Sequence, residues 1–175
     1  MVICTPSDEN ETRKLLTTAY LHNGPASVRY PRGTGPNSNV DKDLKPLKIG
    51  EANIINEESS EIVILNFGTL LNEANQISKE LKATLVDMRF VKPLDEKLLR
   101  KLFKKAKVFI SIEDGSIMGG AGSAVQEFAS KENLNVRSIL FGIPDKFIEH
   151  ASREEMLVEA GLDVENIKSK LSKLL

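Results

Sequence analysis

The sequence predicts an α/β fold: a three-layer sandwich around a mostly parallel five-stranded sheet, preceded by a separate βαβ piece. Three observations carry this. From residue 50 onward, short apolar runs of strand character alternate with stretches patterned as helices. One run, EIVILNFG (61–68), is continuously apolar, as in a strand covered on both faces. A polar stretch rich in Gly, Pro and Asn, PRGTGPNSNVDKDLKP (31–46), separates the beginning of the chain from the rest.

Taken in order, MVIC is a short apolar strand followed by a turn at Thr5-Pro6-Ser7. A helix follows, with Ser7 or Thr5 as its N-cap and Asp8 and Glu9 suited to its first turn. Leu15, Leu16, Ala19 and Tyr20 are spaced as an inward stripe, and HNG ends the helix. ASVRY is then a strand. This βαβ unit is too small to bury both sides of its own strands, so it reads as the end of a domain. Beyond the polar stretch come strands at GEANIINE (50–57) and EIVILNFG, then a helix with Leu70, Ala74, Ile77 and Leu81 at helical spacing. ATLVDMRF (83–90) is one strand, and Pro93-Leu94-Asp95 opens a helix through Leu98, Leu102 and Ala106. KVFISIED (107–114) is a strand ending in two acids. GGAGSAVQEFAS (119–130) is a helix with Ala121, Val125, Phe128 and Ala129 inward, and NVRSILFG (135–142) is the last strand. Ser152 with Glu155 makes a capping box for a helix stopping at Gly161, and Asp163 caps a final helix carrying Val164, Ile167 and Leu171.

Composition narrows the function. The chain has 175 residues and a net charge of -1, from 24 Lys+Arg against 25 Asp+Glu, so no charge excess points to nucleic acid. The lysines of LRKLFKKAK (99–107) fall between Leu99, Leu102, Phe103 and Ala106 and read as the solvated face of a helix. A single cysteine, Cys4, excludes an intrachain disulfide and reads as a small core residue. No apolar stretch is long enough for a membrane span, and no signal-peptide pattern opens the chain, so a cytoplasmic protein is expected.

The glycines at 115, 119, 120 and 122 do not keep the spacing of a dinucleotide-binding loop, and are read as letting a helix start pack close to a strand. Glu113 and Asp114 end a strand where open α/β sheets bind ligands. Adjacent acids point in different directions, so they could bind a metal, receive a partner's arginine or cap the following turn. With no His or Cys nearby in sequence, a metal is disfavoured. His22 and His150 each stand alone and read as structural. Arg29 and Arg32, in SVRYPRGTGP (27–36), lie ~10 Å apart on an extended strand and face opposite sides. Pro31 and Gly33 would bend the chain and aim Arg32 off the strand end, where a planar guanidinium suits a phosphate. A surface salt bridge explains the same residues equally well.

The stretches TPSDENE, VRYPRG, ILNFGTL, ATLVDMRFVKPLD, GGAGSAV and GIPDKFIEHAS together resemble the carboxyl-terminal part of the 1-deoxy-D-xylulose-5-phosphate synthase family, a branch of the transketolase-like, thiamine-diphosphate-dependent enzymes. The resemblance runs over essentially the whole chain. It implies that residues 1–40 are the last βαβ piece of a pyrimidine-binding domain and 41–48 a linker. Residues 49–175 would be the transketolase carboxyl-terminal domain, with four parallel strands and one antiparallel. The implied reaction condenses pyruvate with D-glyceraldehyde 3-phosphate, releasing carbon dioxide, with thiamine diphosphate and magnesium in the complete enzyme, a homodimer. The resemblance places Arg32 among the groups that bind the phosphate of glyceraldehyde 3-phosphate, with Arg29 a weaker candidate.

The departures bear on what this chain does alone. The family's Gly-Asp-Gly with a later Asn-Asn is absent: here stands Glu113-Asp114-Gly115, in a different domain. The activating glutamate and the histidines around the reacting carbons would lie upstream of Met1. No catalytic, cofactor-binding or metal residue is therefore expected in this chain, and its expected partner is the upstream domains or subunit that carry them. By itself the chain would leave the cut face of its first piece exposed, so it is expected to self-associate or to be disordered in residues 1–40. Two alternatives remain: a stand-alone structural, dimerisation or regulatory module with this fold, and a piece of a sister transketolase or of a 2-oxo acid dehydrogenase beta subunit.

Overall fold

The computed structural model describes all residues except 32, 34 and 36–39, and only the backbone of 59 and 60. Its centre is a five-stranded sheet in the order β3-β5-β4-β7-β8. The strands are β3 (Asn53–Asn56), β4 (Ser59–Phe67), β5 (Ala83–Asp87), β7 (Val108–Ser116) and β8 (Arg137–Ile143). The last four are parallel to one another and β3 pairs antiparallel with β5, the arrangement the resemblance implied. Alternate side chains of β4 show why two apolar faces are needed. Val63, Leu65 and Phe67 join one core with helices α3 (Glu96–Phe103) and α4 (Ala121–Lys131). Ile64 joins the opposite core with α2 (Leu71–Leu81) and α6 (Val164–Leu174). Helices on both faces of a parallel sheet complete the three-layer sandwich.

The first forty residues build β1 (Val2–Cys4), α1 (Glu9–Leu21) and β2 (Ala26–Val28), with β1 and β2 parallel. They do not stand apart from the rest. β6 (Phe90–Lys92) pairs antiparallel with β1, making a second sheet in the order β2-β1-β6. Phe90 enters the small core of Val2, Cys4 and Leu15. Burial there pushes the Cys4 thiol up to about 11, as suits a small core residue.

Three expectations need correction. ATLVDMRF is not one strand: β5 ends at Asp87, and Arg89, at φ 59°, turns the chain into β6 and the other sheet. The N-cap of α1 is Asp8, which accepts the Glu11 N–H; the Ser7 hydroxyl instead donates to Asp87 at 2.7 Å, and Thr5 lies buried upstream of the helix. Of the stripe along α1, Leu15 is buried, but Leu16 is 45% and Tyr20 88% exposed. The remaining caps stand where the residues put them: Asp95 for α3, the Ser152–Glu155 box for α5 (Arg153–Ala160) with Gly161 closing it, and Asp163 for α6. Among the described residues, no helix is long and apolar enough to cross a membrane.

Candidate functional site

The site grows from the order of the strands. From β4 the chain crosses through α2 to β5 on one side, and from β5 through α3 to β7 on the other. The carboxyl ends of β4 and β7 therefore flank the point where the winding reverses, the usual ligand crevice of an open α/β sheet. Gly68 and Thr69 follow β4 there, and Glu113, level with Phe67 in the ladder, and Asp114 lie near the end of β7.

The two acids part as their adjacency requires. Glu113, 2% exposed, turns inward and accepts the N–H groups of Ala121 (2.9 Å) and Gly122 (3.0 Å) at the start of α4. Its carboxylate fills the place an anion would take at that helix end. Burial raises its pKa, against the pull of those two N–H groups and of the Arg29 charge. A methyl group on Gly120 would run into the Ser116 carbonyl, and one on Gly122 into the Ser111 hydroxyl. The glycines thus bring the helix start against the strand, as read from the sequence.

Asp114 turns toward the βαβ piece. It accepts from the Thr69 N–H (3.0 Å) and hydroxyl (2.7 Å). Arg29, just beyond β2, donates through Nη1 to both its carboxylate and its carbonyl oxygen. Gly68, at φ +99°, lies so close to this carboxylate that no side chain would fit. Arg153 donates to the Thr69 hydroxyl at 3.1 Å, adding a second guanidinium to the cluster. Arg29 is thus held within the chain, its strand end docked into the reversal point of the main sheet. Two more contacts stitch the same seam: Arg89 grips Glu11 with two hydrogen bonds of 2.7 and 2.9 Å, and Ser7 meets Asp87. Burial pushes the Asp87 carboxyl up to about 6, although Ser7 and Asn66 hydrogen-bond to it.

Arg32 lies outside the described residues. Its neighbours Pro31 and Gly33 line a cleft of about 300 Å³ with Asp8, Thr12, Arg13, Tyr30, Val40 and Thr69 among its walls. Sequence reading did not single out Arg13, which sits among ordinary helix residues and is brought to the cleft only by the packing of α1. A larger hollow, about 680 Å³, runs between residues 48–54 and α3, away from the arginines. Its Asp95 is engaged by the Leu98 and Ala52 N–H groups.

These residues do not fit a diphosphate with its magnesium. The helix end suited to a phosphate is filled by Glu113, and Asp114 is taken by Arg29 and Thr69. Among the described residues, no group of three or more His, Cys, Asp or Glu is placed to hold a metal ion. His22 serves α1 as C-cap through its backbone, and His150 is exposed in the segment before α5.

Residues 50–167 match the family model described as transketolase, C-terminal domain. The chain is 50% identical over 169 residues to the 1-deoxy-D-xylulose-5-phosphate synthase of Pseudomonas fluorescens (strain Pf0-1), covering 97% of this chain and 27% of that protein. It is 51% identical over 168 residues to the enzyme of the same name from Pseudomonas aeruginosa (strain UCBPP-PA14), covering 96% and 27%. The chain thus spans about a quarter of the length of these relatives, in their carboxyl-terminal part. Among solved structures, one described as a split gene transketolase, inactive beta4 tetramer, superposes with a TM-score of 0.83 at 24% identity, over 99% of this chain and 56% of that one. Transketolase from Campylobacter jejuni superposes at 0.66 with 18% identity, over 98% and 26%. At these identities the structural likeness speaks for the fold.

Proposed function

Because the chain belongs to the transketolase C-terminal domain family, we propose that it provides the carboxyl-terminal part of a 1-deoxy-D-xylulose-5-phosphate synthase. That enzyme condenses pyruvate with D-glyceraldehyde 3-phosphate and releases carbon dioxide. The observation that carries the reading is identity of about half to synthases along 97% of the chain. In this reading thiamine diphosphate and magnesium belong to residues outside this chain, whose own acids are engaged elsewhere, and the complete enzyme is a cytoplasmic homodimer. This chain's part is to dock the βαβ piece on the carboxyl-terminal sheet and to present Arg32 to the substrate phosphate. Arg29 anchors the end of β2, three residues before Arg32 in the sequence. The boundaries at residues 40 and 48 are proposed on the same ground: β1, α1 and β2 belong to the pyrimidine-binding side of the enzyme.

The test is a chimera of the upstream three-quarters of the Pseudomonas aeruginosa relative joined to this chain, supplied with thiamine diphosphate, magnesium and both substrates. The expected result is 1-deoxy-D-xylulose 5-phosphate. Arg32→Ala in the chimera should raise the KM for glyceraldehyde 3-phosphate by a factor worth ~2 kcal/mol, the loss of a charge-assisted contact, and leave that for pyruvate alone. A folded, inactive chimera, with the isolated chain assembled on itself by light scattering, would favour a second reading: a self-assembling structural module. The exposed Leu16 and Tyr20 on α1 are the observation behind it.

A further inference from the structure

We propose that the hollow between the strap of residues 48–54 and α3 is a binding site for an organic anion with an apolar body, its charged head held by Lys97 and Lys101. None of its lining residues belongs to the cluster around Asp114, so the site does not depend on the reading of Arg32. The floor is apolar. Ala52, Ile54, Leu94 and Leu98 pack against the large core of Val63 and Phe109, and Ile49 against the small core of Val2 and Phe90. All five stay only half-buried and line a volume of about 680 Å³, inside the range of ligand pockets. An apolar ligand body would take their remaining surface out of water.

The chain itself fixes the walls. Asp95 accepts the Leu98 N–H at 2.9 Å as the cap of α3, and the Ala52 N–H of the strap at 3.1 Å. Gly50, at φ +76°, lies so close to Pro93 that a methyl group there would meet the ring. The Glu51 N–H closes a turn on the Lys48 carbonyl at 3.2 Å, and the Leu47 N–H is held by the Thr18 hydroxyl at 2.7 Å. Strap and helix thus stand at a set distance, and a preorganised hollow gives up little entropy on binding.

The charge at the rim selects the head group. Lys97 and Lys101 lie four residues apart on one face of α3, and both border the hollow. Like charges at that spacing repel each other. The acids of the walls are engaged: Asp95 by its two N–H groups, Glu96 by Arg100 at 2.7 Å and Glu51 by Lys48 at 3.7 Å. Among the described residues neither the Lys97 nor the Lys101 ammonium has a carboxylate within ion-pair distance. One anionic head between the two would cancel their repulsion while a hydrocarbon body covered Ile54, Leu94 and Leu98. Two lysines offer point charges rather than a planar fork, so a carboxylate and a phosphate head both suit them. A neutral ligand would leave the lysines unmatched, and a small ion would leave the floor in water.

The experiment uses the 175-residue chain and sodium octanoate as probe, followed by amide NMR and by titration below the micelle-forming concentration. The signals of Gly50, Ala52, Leu94 and Lys97 should move together on addition of octanoate, while those of α2 and α6 stay still. Acetate should bind at least about tenfold more weakly for want of apolar contact, and 1-octanol about fivefold more weakly for want of charge. The double variant Lys97→Gln/Lys101→Gln should weaken octanoate about fivefold and leave octanol within about twofold. Both lysines are exposed, so thermal unfolding of the variant should match the wild type. Octyl phosphate run beside octanoate tells which head is preferred, and either supports the site if the lysine variant weakens it. If the chain binds no octanoate, if the moving signals lie elsewhere, or if the double variant binds within about twofold of the wild type, the proposal falls. If the chain binds octanoate but the folded chimera does not, the upstream part of the enzyme covers the hollow, and it is no ligand site.

Discussion

Asp87 shows how a single buried group sets a pH dependence. It is 1% exposed, and its carboxyl is raised from an ordinary 3.8 to about 6 chiefly by burial. The folded chain therefore holds this proton more tightly than the unfolded chain does. Between the two values the folded state binds more protons, so stability falls as pH rises through that window. Urea unfolding should show the wild type gaining on the order of 2–3 kcal/mol from this group between about pH 7 and pH 4. Asp87→Asn should remove that slope, and an unchanged slope would assign the effect to other carboxyls, Glu113 first. The contrast with Asp114 is instructive. Asp87 ends β5 and Asp114 lies near the end of β7 in the same sheet, but Asp114 faces a guanidinium and Asp87 faces a hydroxyl and an amide.

At the level of elements, what the residues announced and what they hid divide by sequence distance. The caps of α3, α5 and α6 are legible because the capping side chain and the N–H it receives lie three residues apart. The five main strands are legible because each carries its own apolar pattern. Two of the misreadings come from partners far along the chain. Ser7 looked like a cap, but its hydroxyl is claimed by a residue 80 positions away. ATLVDMRF looked continuous, because nothing local says that Phe90 belongs to the core of Val2 and Leu15. The acids of β7 could be located at a ligand-binding strand end, but the choice of Arg29 by Asp114 spans 85 residues. One element-level expectation follows from the start of α4. Gly120→Ala would press a methyl group on the Ser116 carbonyl, a backbone atom, and on the Glu113 carboxylate, which cannot withdraw while it accepts the N–H groups at the start of α4. The cost should be about 2–3 kcal/mol in chemical unfolding, the range of an overpacked site, while Gly119→Ala, with open space around it, should report only its backbone strain.

For the molecule as a whole, the seam between the βαβ piece and the rest of the chain is a polar and β-paired joint. It is made by β1 with β6, Arg29 with Asp114, Arg89 with Glu11 and Ser7 with Asp87. The reversal point of the main sheet is occupied by an arginine from the chain's own βαβ piece. Guest and docking strand thus compete for one berth: a cation that reached Asp114 and Thr69 would have to evict Arg29, and with it the end of β2. Free guanidinium ion is the natural rival. At concentrations well below unfolding it should shift the amide signals of Thr69, Asp114 and Arg29 together, while those of β8 stay still; coincident shifts throughout the sheet would mean general solvent weakening instead. The fold has turned a vacancy that related architectures leave to their ligands into a lock between its own parts, and the key is cut from the same strand that leads to Arg32.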